Sequence, residues 1–75
     1  MENKVIELIA DQLNKKVDQI SLESRLFEDL GANSLDVIDL IVSVEDEFGI
    51  VILDDEIAKI RTVGDIVNLV NTLQI

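Results

Sequence analysis

Several residue types on which enzymes and metal sites depend are missing from this chain of 75 residues. It contains no cysteine, which excludes disulfides and thiolate metal sites, and no histidine, which is the commonest catalytic base. A nucleophilic serine needs such a base beside it. We therefore expect that the chain is not an enzyme and holds no metal centre, and that a displayed serine is modified by another protein.

Positive charge is also scarce. Six lysines and arginines stand against sixteen aspartates and glutamates, which gives a formal net charge of −10. This balance excludes nucleic acid as a partner and disfavours an anionic membrane surface. An acidic surface attracts basic proteins, although it also simply increases solubility. Charge alone leaves both interpretations open.

Long apolar runs are absent as well. None approaches the ~20 residues that a membrane-spanning helix requires, and the first residues lack the apolar segment of a signal peptide. We therefore expect a cytoplasmic monomer in which residues 1–75 form one domain. With 48% hydrophobic residues at periodic positions, the composition is typical of a folded chain and not of a disordered acidic one.

The predicted fold is all-α: a small four-helix bundle of three longer helices and one short helix, with a long loop between the first two. Apolar residues recur at helical spacing over residues 3–15, where Lys15 and Lys16 would suit the negative end of the helix dipole. Residues 17–33 lack such a period and are interpreted as the long loop. The apolar side chains that should anchor it are Ile20, Leu22, Leu26, Phe27 and Leu30.

The second helix should run from Ser34 to Phe48, because Gly49 follows its last apolar residue as a stop signal. Residues 50–53 are interpreted as a connecting turn. Their β-branched side chains would also suit a strand, but the sequence offers no partner strand. A short helix over residues 54–60 and a last helix from Val63 to Leu73 complete the bundle.

Two of these helix starts carry capping signals. Ser34 precedes an apolar-periodic segment, and serine is a favoured N-cap that stabilises a helix by ~1 kcal/mol. Taken alone, a serine in this position is a cap far more often than a modification site. Thr62, followed three residues later by Asp65, resembles a capping box at the start of the last helix.

The second helix has two apolar faces. One is an ordinary core stripe, whereas the other has i, i+3, i+7 spacing and lies beside several acidic residues. An apolar patch bordered by carboxylates is typical of a docking surface for basic proteins. The alternative is that this face packs under the long loop. The core face comprises Val37, Leu40, Ile41, Val44 and Phe48, and the second face Leu35, Ile38 and Val42.

Two stretches resemble the acyl carrier proteins of type II fatty acid synthesis: FEDLGANSLD at residues 27–36 and EDEFGI at residues 45–50. The similarity continues in DDEI at 54–57 and TVGD at 62–65, and it covers nearly the whole chain. It implies that Ser34 Oγ receives 4′-phosphopantetheine from coenzyme A through a phosphopantetheinyl transferase. The thiol of this arm would then carry acyl groups as thioesters.

The same resemblance implies two further sets of residues. In this family the helix after the serine recognises the basic surfaces of fatty acid synthesis enzymes, and the acyl chain lies in the bundle interior. The implied partner-binding residues are Leu35, Asp36, Asp39, Val42, Asp46 and Glu47. The implied acyl-cavity residues, for which plain core packing is the alternative, are Leu26, Val44, Ile52, Ile57 and Ile60.

Two positions depart from the family pattern. The family's serine normally follows Asp, whereas Asn33 stands there, and a transferase that uses the missing carboxylate would modify Ser34 more slowly. The family usually has Pro in place of Leu53. Losing a proline makes the loop looser and lowers the free energy of unfolding by ~0.4–1 kcal/mol, because the unfolded chain gains conformational freedom.

Two alternatives stay open for the function. One is a carrier for a polyketide, aminoacyl or D-alanyl group, and the other is an acidic interaction module that is not modified.

Overall fold

Four α-helices follow one another in the computed structural model, which describes residues 2–73. They are α1 (Glu2–Leu13), α2 (Ser34–Phe48), α3 (Asp54–Ile57) and α4 (Val63–Leu73), and a 3-10 turn covers Val17–Gln19. Within residues 2–73, the only β-type pairing is an isolated bridge between Arg25 and Thr62. The predicted all-α bundle of three longer helices and one short helix is confirmed.

Left-handed residues end the first two long helices. α2 has its predicted bounds, and Gly49 follows it with φ 66°. α1 ends at Leu13 because Asn14 adopts φ 57°, and the N–H of Lys15 then donates to Ala10 O at 2.9 Å, as in a Schellman motif. The prediction that the lysine pair closes α1 is therefore wrong, since both lysines lie beyond the helix.

The short helix α3 ends at Ile57 and not at Ile60 as predicted. The chain turns at Ala58, which allows the Ile60 side chain to be buried in the core. Arg61 stabilises this turn, because its Nη1 donates to the carbonyl oxygens of Ala58 at 2.7 Å and Ile60 at 3.1 Å. If α3 had continued to Ile60, the Ala58 and Ile60 carbonyl oxygens would have had a different position relative to the Arg61 guanidinium.

The segment between α2 and α3 alternates between the core and the surface. Ile50 and Ile52 are buried, whereas Val51 and Leu53 are exposed. The N–H of Ile52 donates to Glu45 Oε2 at 2.7 Å, which fixes the segment against α2. Leu53 precedes α3 with φ −79°, within the range that proline adopts. The backbone therefore keeps a proline-compatible shape without the proline.

The core lies where α1 packs against α2 and α4. Each long helix turns one apolar face toward it, which is the expected consequence of helical spacing. Fully or almost fully buried side chains come from every long helix and from the connecting segments: Val5, Ile9, Ala10, Ile20, Leu26, Leu30, Ala32, Val37, Leu40, Ile41, Val44, Ile50, Ile52, Ile60, Val63, Ile66, Val67 and Val70.

The long loop is fastened to the start of α4 by backbone hydrogen bonds. Leu26 N–H donates to Arg61 O at 3.0 Å, and Gly64 N–H donates to Leu22 O at 2.8 Å. A Cβ at Gly64 would lie 3.0 Å from that same Leu22 oxygen, so the close approach favours glycine. Of the predicted loop anchors, Phe27 is wrong, because its side chain is exposed.

Candidate functional site

The start of α2 is capped by Asn33 and not by Ser34. Asn33 Oδ1 accepts a hydrogen bond from the N–H of Asp36 at 2.8 Å, and Asp36 Oδ2 accepts one from the N–H of Asn33 at 3.2 Å. This reciprocal pair is a capping box. The interpretation of Ser34 as an N-cap is therefore wrong, because the residue before it fills that role.

Ser34 is the first residue of α2 and is exposed to solvent. Among residues 2–73, its hydroxyl makes no hydrogen bond to another side chain or to the backbone, since the capping bonds belong to its neighbour. No base within this part of the chain is hydrogen-bonded to it. The hydroxyl is therefore exposed and takes no part in the capping of α2.

A cavity of about 240 Å³ adjoins Ser34 between α2 and the α3 region. Two of the predicted acyl-cavity residues, Ile57 and Ile60, line it. The other three are buried in the core and are not part of its wall: Leu26, Val44 and Ile52. The wall also includes residues that the sequence did not assign to it, namely Phe27, Val37, Ile38, Ala58 and Arg61.

The second apolar face of α2 is exposed. Leu35, Ile38 and Val42 have 67%, 53% and 50% of their surface accessible, whereas the core face is almost completely buried up to Val44. The long loop therefore does not cover this face, and the alternative raised by the sequence is excluded.

Acidic residues border the exposed face of α2, in two different situations. Asp39 and Asp46 are exposed and make no ion pair with another residue between 2 and 73. Asp36 serves in the capping box, and Glu47 lies 3.8 Å from Lys4 Nζ in a solvent-exposed pair. Asp39 and Asp46 are thus the carboxylates with the least intramolecular engagement on this helix.

Val51 and Leu53 add further exposed apolar surface beside α3, with 72% and 62% accessible. Residues 50–53 were predicted to form a connecting turn, and no binding role was predicted for these two side chains. All four residues of this segment are apolar, so the sequence contains no polar alternation that could have shown which of them face outward.

The start of α4 has the predicted capping box. Thr62 Oγ1 accepts from Asp65 N–H at 3.2 Å, and Asp65 Oδ2 accepts from Thr62 N–H at 3.0 Å. The same carboxylate accepts the backbone N–H of Arg61 at 2.9 Å. This last bond is the main reason why the pKa of Asp65 is lowered, and the Thr62 bonds add to it against the opposing effect of partial burial.

Comparison with known proteins identifies the family. A family model described as a phosphopantetheine attachment site matches residues 3–70. The chain is 46% identical over 74 residues to an acyl carrier protein of Rickettsia canadensis, covering 99% of this chain and 86% of the relative. The corresponding values for an acyl carrier protein of Rickettsia bellii are 44% over 70 residues, 93% and 81%. The chain belongs to the acyl carrier protein family.

The fold agrees with this membership. The crystal structure of an acyl carrier protein from Thermotoga maritima is similar with a TM-score of 0.80 and 37% sequence identity, covering 97% of this chain and 91% of the other. Covalently attached 4′-phosphopantetheine and a carrier role, both predicted from the sequence, are confirmed by the family assignment. Among residues 2–73, no helix combines the length and apolar character needed to cross a membrane.

Proposed function

We propose that this chain is a non-catalytic carrier of acyl intermediates in fatty acid synthesis and that Ser34 Oγ is the attachment point of its 4′-phosphopantetheine arm. One observation supports this most directly: Ser34 is exposed at the first residue of α2, does not cap the helix, and lies beside a cavity whose walls are mostly apolar. The relatives named above are acyl carrier proteins, which supports the choice of cargo.

Loading the arm requires chemistry that the chain itself does not provide. A bond forms between Ser34 Oγ and the phosphorus of coenzyme A that bears pantetheine, the pyrophosphate bond breaks, and adenosine 3′,5′-bisphosphate leaves. The hydroxyl proton passes to a base of the Mg²⁺-dependent transferase, since Ser34 has no base bonded to it within the described chain. When attached, the arm supplies a terminal thiol for thioester formation.

The exposed face of α2 is the proposed docking surface for the transferase and for the basic enzymes of fatty acid synthesis. Leu35 and Val42 would contribute apolar contacts, and the carboxylates that border them would pair with basic side chains. These carboxylates are Asp36, Asp39, Asp46 and Glu47. Because Asp36 and Glu47 already have intramolecular partners, Asp39 and Asp46 should contribute more to partner binding.

The cavity beside Ser34 is the proposed entrance for the acyl chain. Ile57 and Ile60 form part of its wall, so a chain that starts at Ser34 would meet them first. Leu26, Val44 and Ile52 are almost completely buried in the core and do not line this cavity. In this proposal, a longer acyl chain would reach them only by displacing core side chains.

Intact mass tests the attachment. The protein is incubated with coenzyme A, Mg²⁺ and a broad-specificity phosphopantetheinyl transferase, beside Ser34→Ala and the control Ser43→Ala, another serine of α2. We expect the parent and Ser43→Ala to gain one phosphopantetheine and Ser34→Ala to gain none. A gain in Ser34→Ala would overturn the assignment. Asn33→Asp, tested in parallel, measures whether the missing carboxylate slows the transferase.

A further inference from the structure

Arg61 is the only basic residue, within the described part of the chain, that lines the cavity beside Ser34. The cavity wall otherwise consists of apolar side chains and the Ser34 hydroxyl. Arg61 is exposed to solvent, and its guanidinium is the group of this wall whose charge is complementary to an anion. Neither the docking surface nor the acyl chain accounts for it.

The structure holds Arg61 in place from several sides. Its Nη1 donates to Ala58 O at 2.7 Å and to Ile60 O at 3.1 Å. Its backbone oxygen accepts from Leu26 N–H at 3.0 Å, and its backbone N–H donates to Asp65 Oδ2 at 2.9 Å. A guanidinium fixed in this way loses little conformational entropy when it binds an anion.

Arg61 also keeps its remaining donors available. In a chain of net charge −10, the guanidinium has no carboxylate within 4 Å among residues 2–73, whereas Lys4 has one and Arg25 has two. Asp65, the carboxylate bonded to its backbone, already accepts the backbone N–H groups of Arg61 and Thr62 through Oδ2. The Nε and Nη2 groups of Arg61 make no hydrogen bond within the described residues.

We propose that Arg61 binds the phosphodiester anion of the phosphopantetheine arm and so positions the arm along the cavity. The inference rests on the proposed attachment at Ser34, because the phosphodiester is bonded directly to Ser34 Oγ, which shares the cavity wall with Arg61. A guanidinium is well suited to bind a phosphate group through two parallel N–H donors. Arg61 is thus a positioning residue for the arm and is not catalytic.

Unfolding equilibria measure this interaction directly. Urea denaturation of the unmodified and phosphopantetheinylated forms gives the factor by which the arm changes the unfolding constant, in the parent and in Arg61→Gln. We expect the arm to be less stabilising in Arg61→Gln by a factor of about 2–5 at low ionic strength, and this difference to shrink in 0.5 M NaCl. The ³¹P resonance of the arm should differ between the parent and Arg61→Gln for the same reason.

Lys59→Gln is the matched control. It removes the same charge two residues away, and Lys59 does not line the Ser34 cavity. In Lys59→Gln, the factor by which the arm changes the unfolding constant and the ³¹P resonance of the arm should equal those of the parent. Arg61→Lys should retain part of the stabilisation by the arm that Arg61→Gln loses. Equal behaviour of Arg61→Gln and Lys59→Gln would overturn the proposal. Intact mass distinguishes this result from a failure of the proposed function. In that case no arm is attached, and both the proposed attachment at Ser34 and the proposed role of Arg61 are wrong.

The anion could also come from a carboxylate in the cargo. Acetyl-loaded and malonyl-loaded forms distinguish the two sources, because they share the phosphodiester and only the malonyl group adds a carboxylate. A dependence on Arg61 that is already present without cargo, and equal with both cargoes, supports the phosphodiester. A dependence that arises only with malonyl would overturn the assignment to the phosphodiester.

Discussion

The two apolar faces of α2 have similar residues and similar helical spacing, yet they have opposite surroundings. Leu40 and Val44 are almost completely buried against the other helices, whereas Leu35 and Val42 are half or more exposed. The two faces share one backbone and one N-terminal cap, so helix propensity cannot explain the difference. The bundle has enough neighbouring surface for one face only, which leaves the other available to partner proteins.

Replacing a leucine on each face gives the largest expected contrast. Leu40→Ala should lower the free energy of unfolding by about 2–5 kcal/mol because it leaves a cavity in the core. Leu35→Ala removes an exposed side chain and should change it by no more than about 0.5 kcal/mol. Urea denaturation of both variants measures this. Similar losses would show that the exposed face also supports the fold.

Charge reversal on the exposed face tests its role in binding. Asp39→Lys should raise the KM of a basic phosphopantetheinyl transferase by about 3–10-fold at low salt, because it replaces an attraction with a repulsion. Asp11→Lys, an equal charge change at an exposed position of α1, is the control and should have a much smaller effect. Circular dichroism should show unchanged helix content in both. If the two variants raise KM equally, net charge and not this face determines recognition.

The N-terminal cap of α2 can be weakened without changing a residue on either of its two apolar faces. Asn33→Ala removes the acceptor of the 2.8 Å bond from Asp36 N–H and should cost about 1 kcal/mol of unfolding free energy. Asn33→Asp keeps an acceptor at the same place and should be close to the parent in stability. Thermal or urea unfolding distinguishes them. An Asn33→Ala variant as stable as the parent would mean that packing alone fixes the start of α2.

The capping box of α4 depends on the Asp65 carboxylate and should therefore weaken in acid. Because the pKa of Asp65 is lowered in the folded state, chiefly by the Arg61 N–H, its carboxylate stabilises the fold above its unfolded pKa of about 3.9. This contribution is lost as the pH falls through the lowered, folded-state pKa. Asp65→Asn should thus be less stable than the parent at pH 7, and the gap should close in stronger acid. A gap independent of pH, in urea titrations, would contradict this account.

Periodicity and composition were sufficient to predict most of this fold. The bounds of α2, the all-α class and the α4 capping box follow from local sequence, because apolar spacing and capping are properties of nearby residues. The ends of α1 and α3 do not follow. Asn14 adopts a left-handed conformation, and Ile60 leaves the helix for the core, and both depend on contacts that a local pattern does not contain.

The candidate site was predictable in part. The resemblance indicated Ser34, and the spacing indicated the exposed face, but neither showed that Asn33 holds the cap. The cavity wall was harder to predict, because α2, α3 and the long loop all contribute to it. Arg61 illustrates the limit: nothing in its neighbours along the sequence places it beside a serine 27 positions earlier (61 minus 34).

The cap of α2 and the proposed attachment point belong to adjacent but distinct residues, Asn33 and Ser34. The reciprocal capping bonds involve Asn33 and Asp36 alone. Under the proposed attachment, esterification of the Ser34 hydroxyl would consume no hydrogen bond of this cap. The unmodified and modified proteins would therefore keep the same capping bonds at the start of α2.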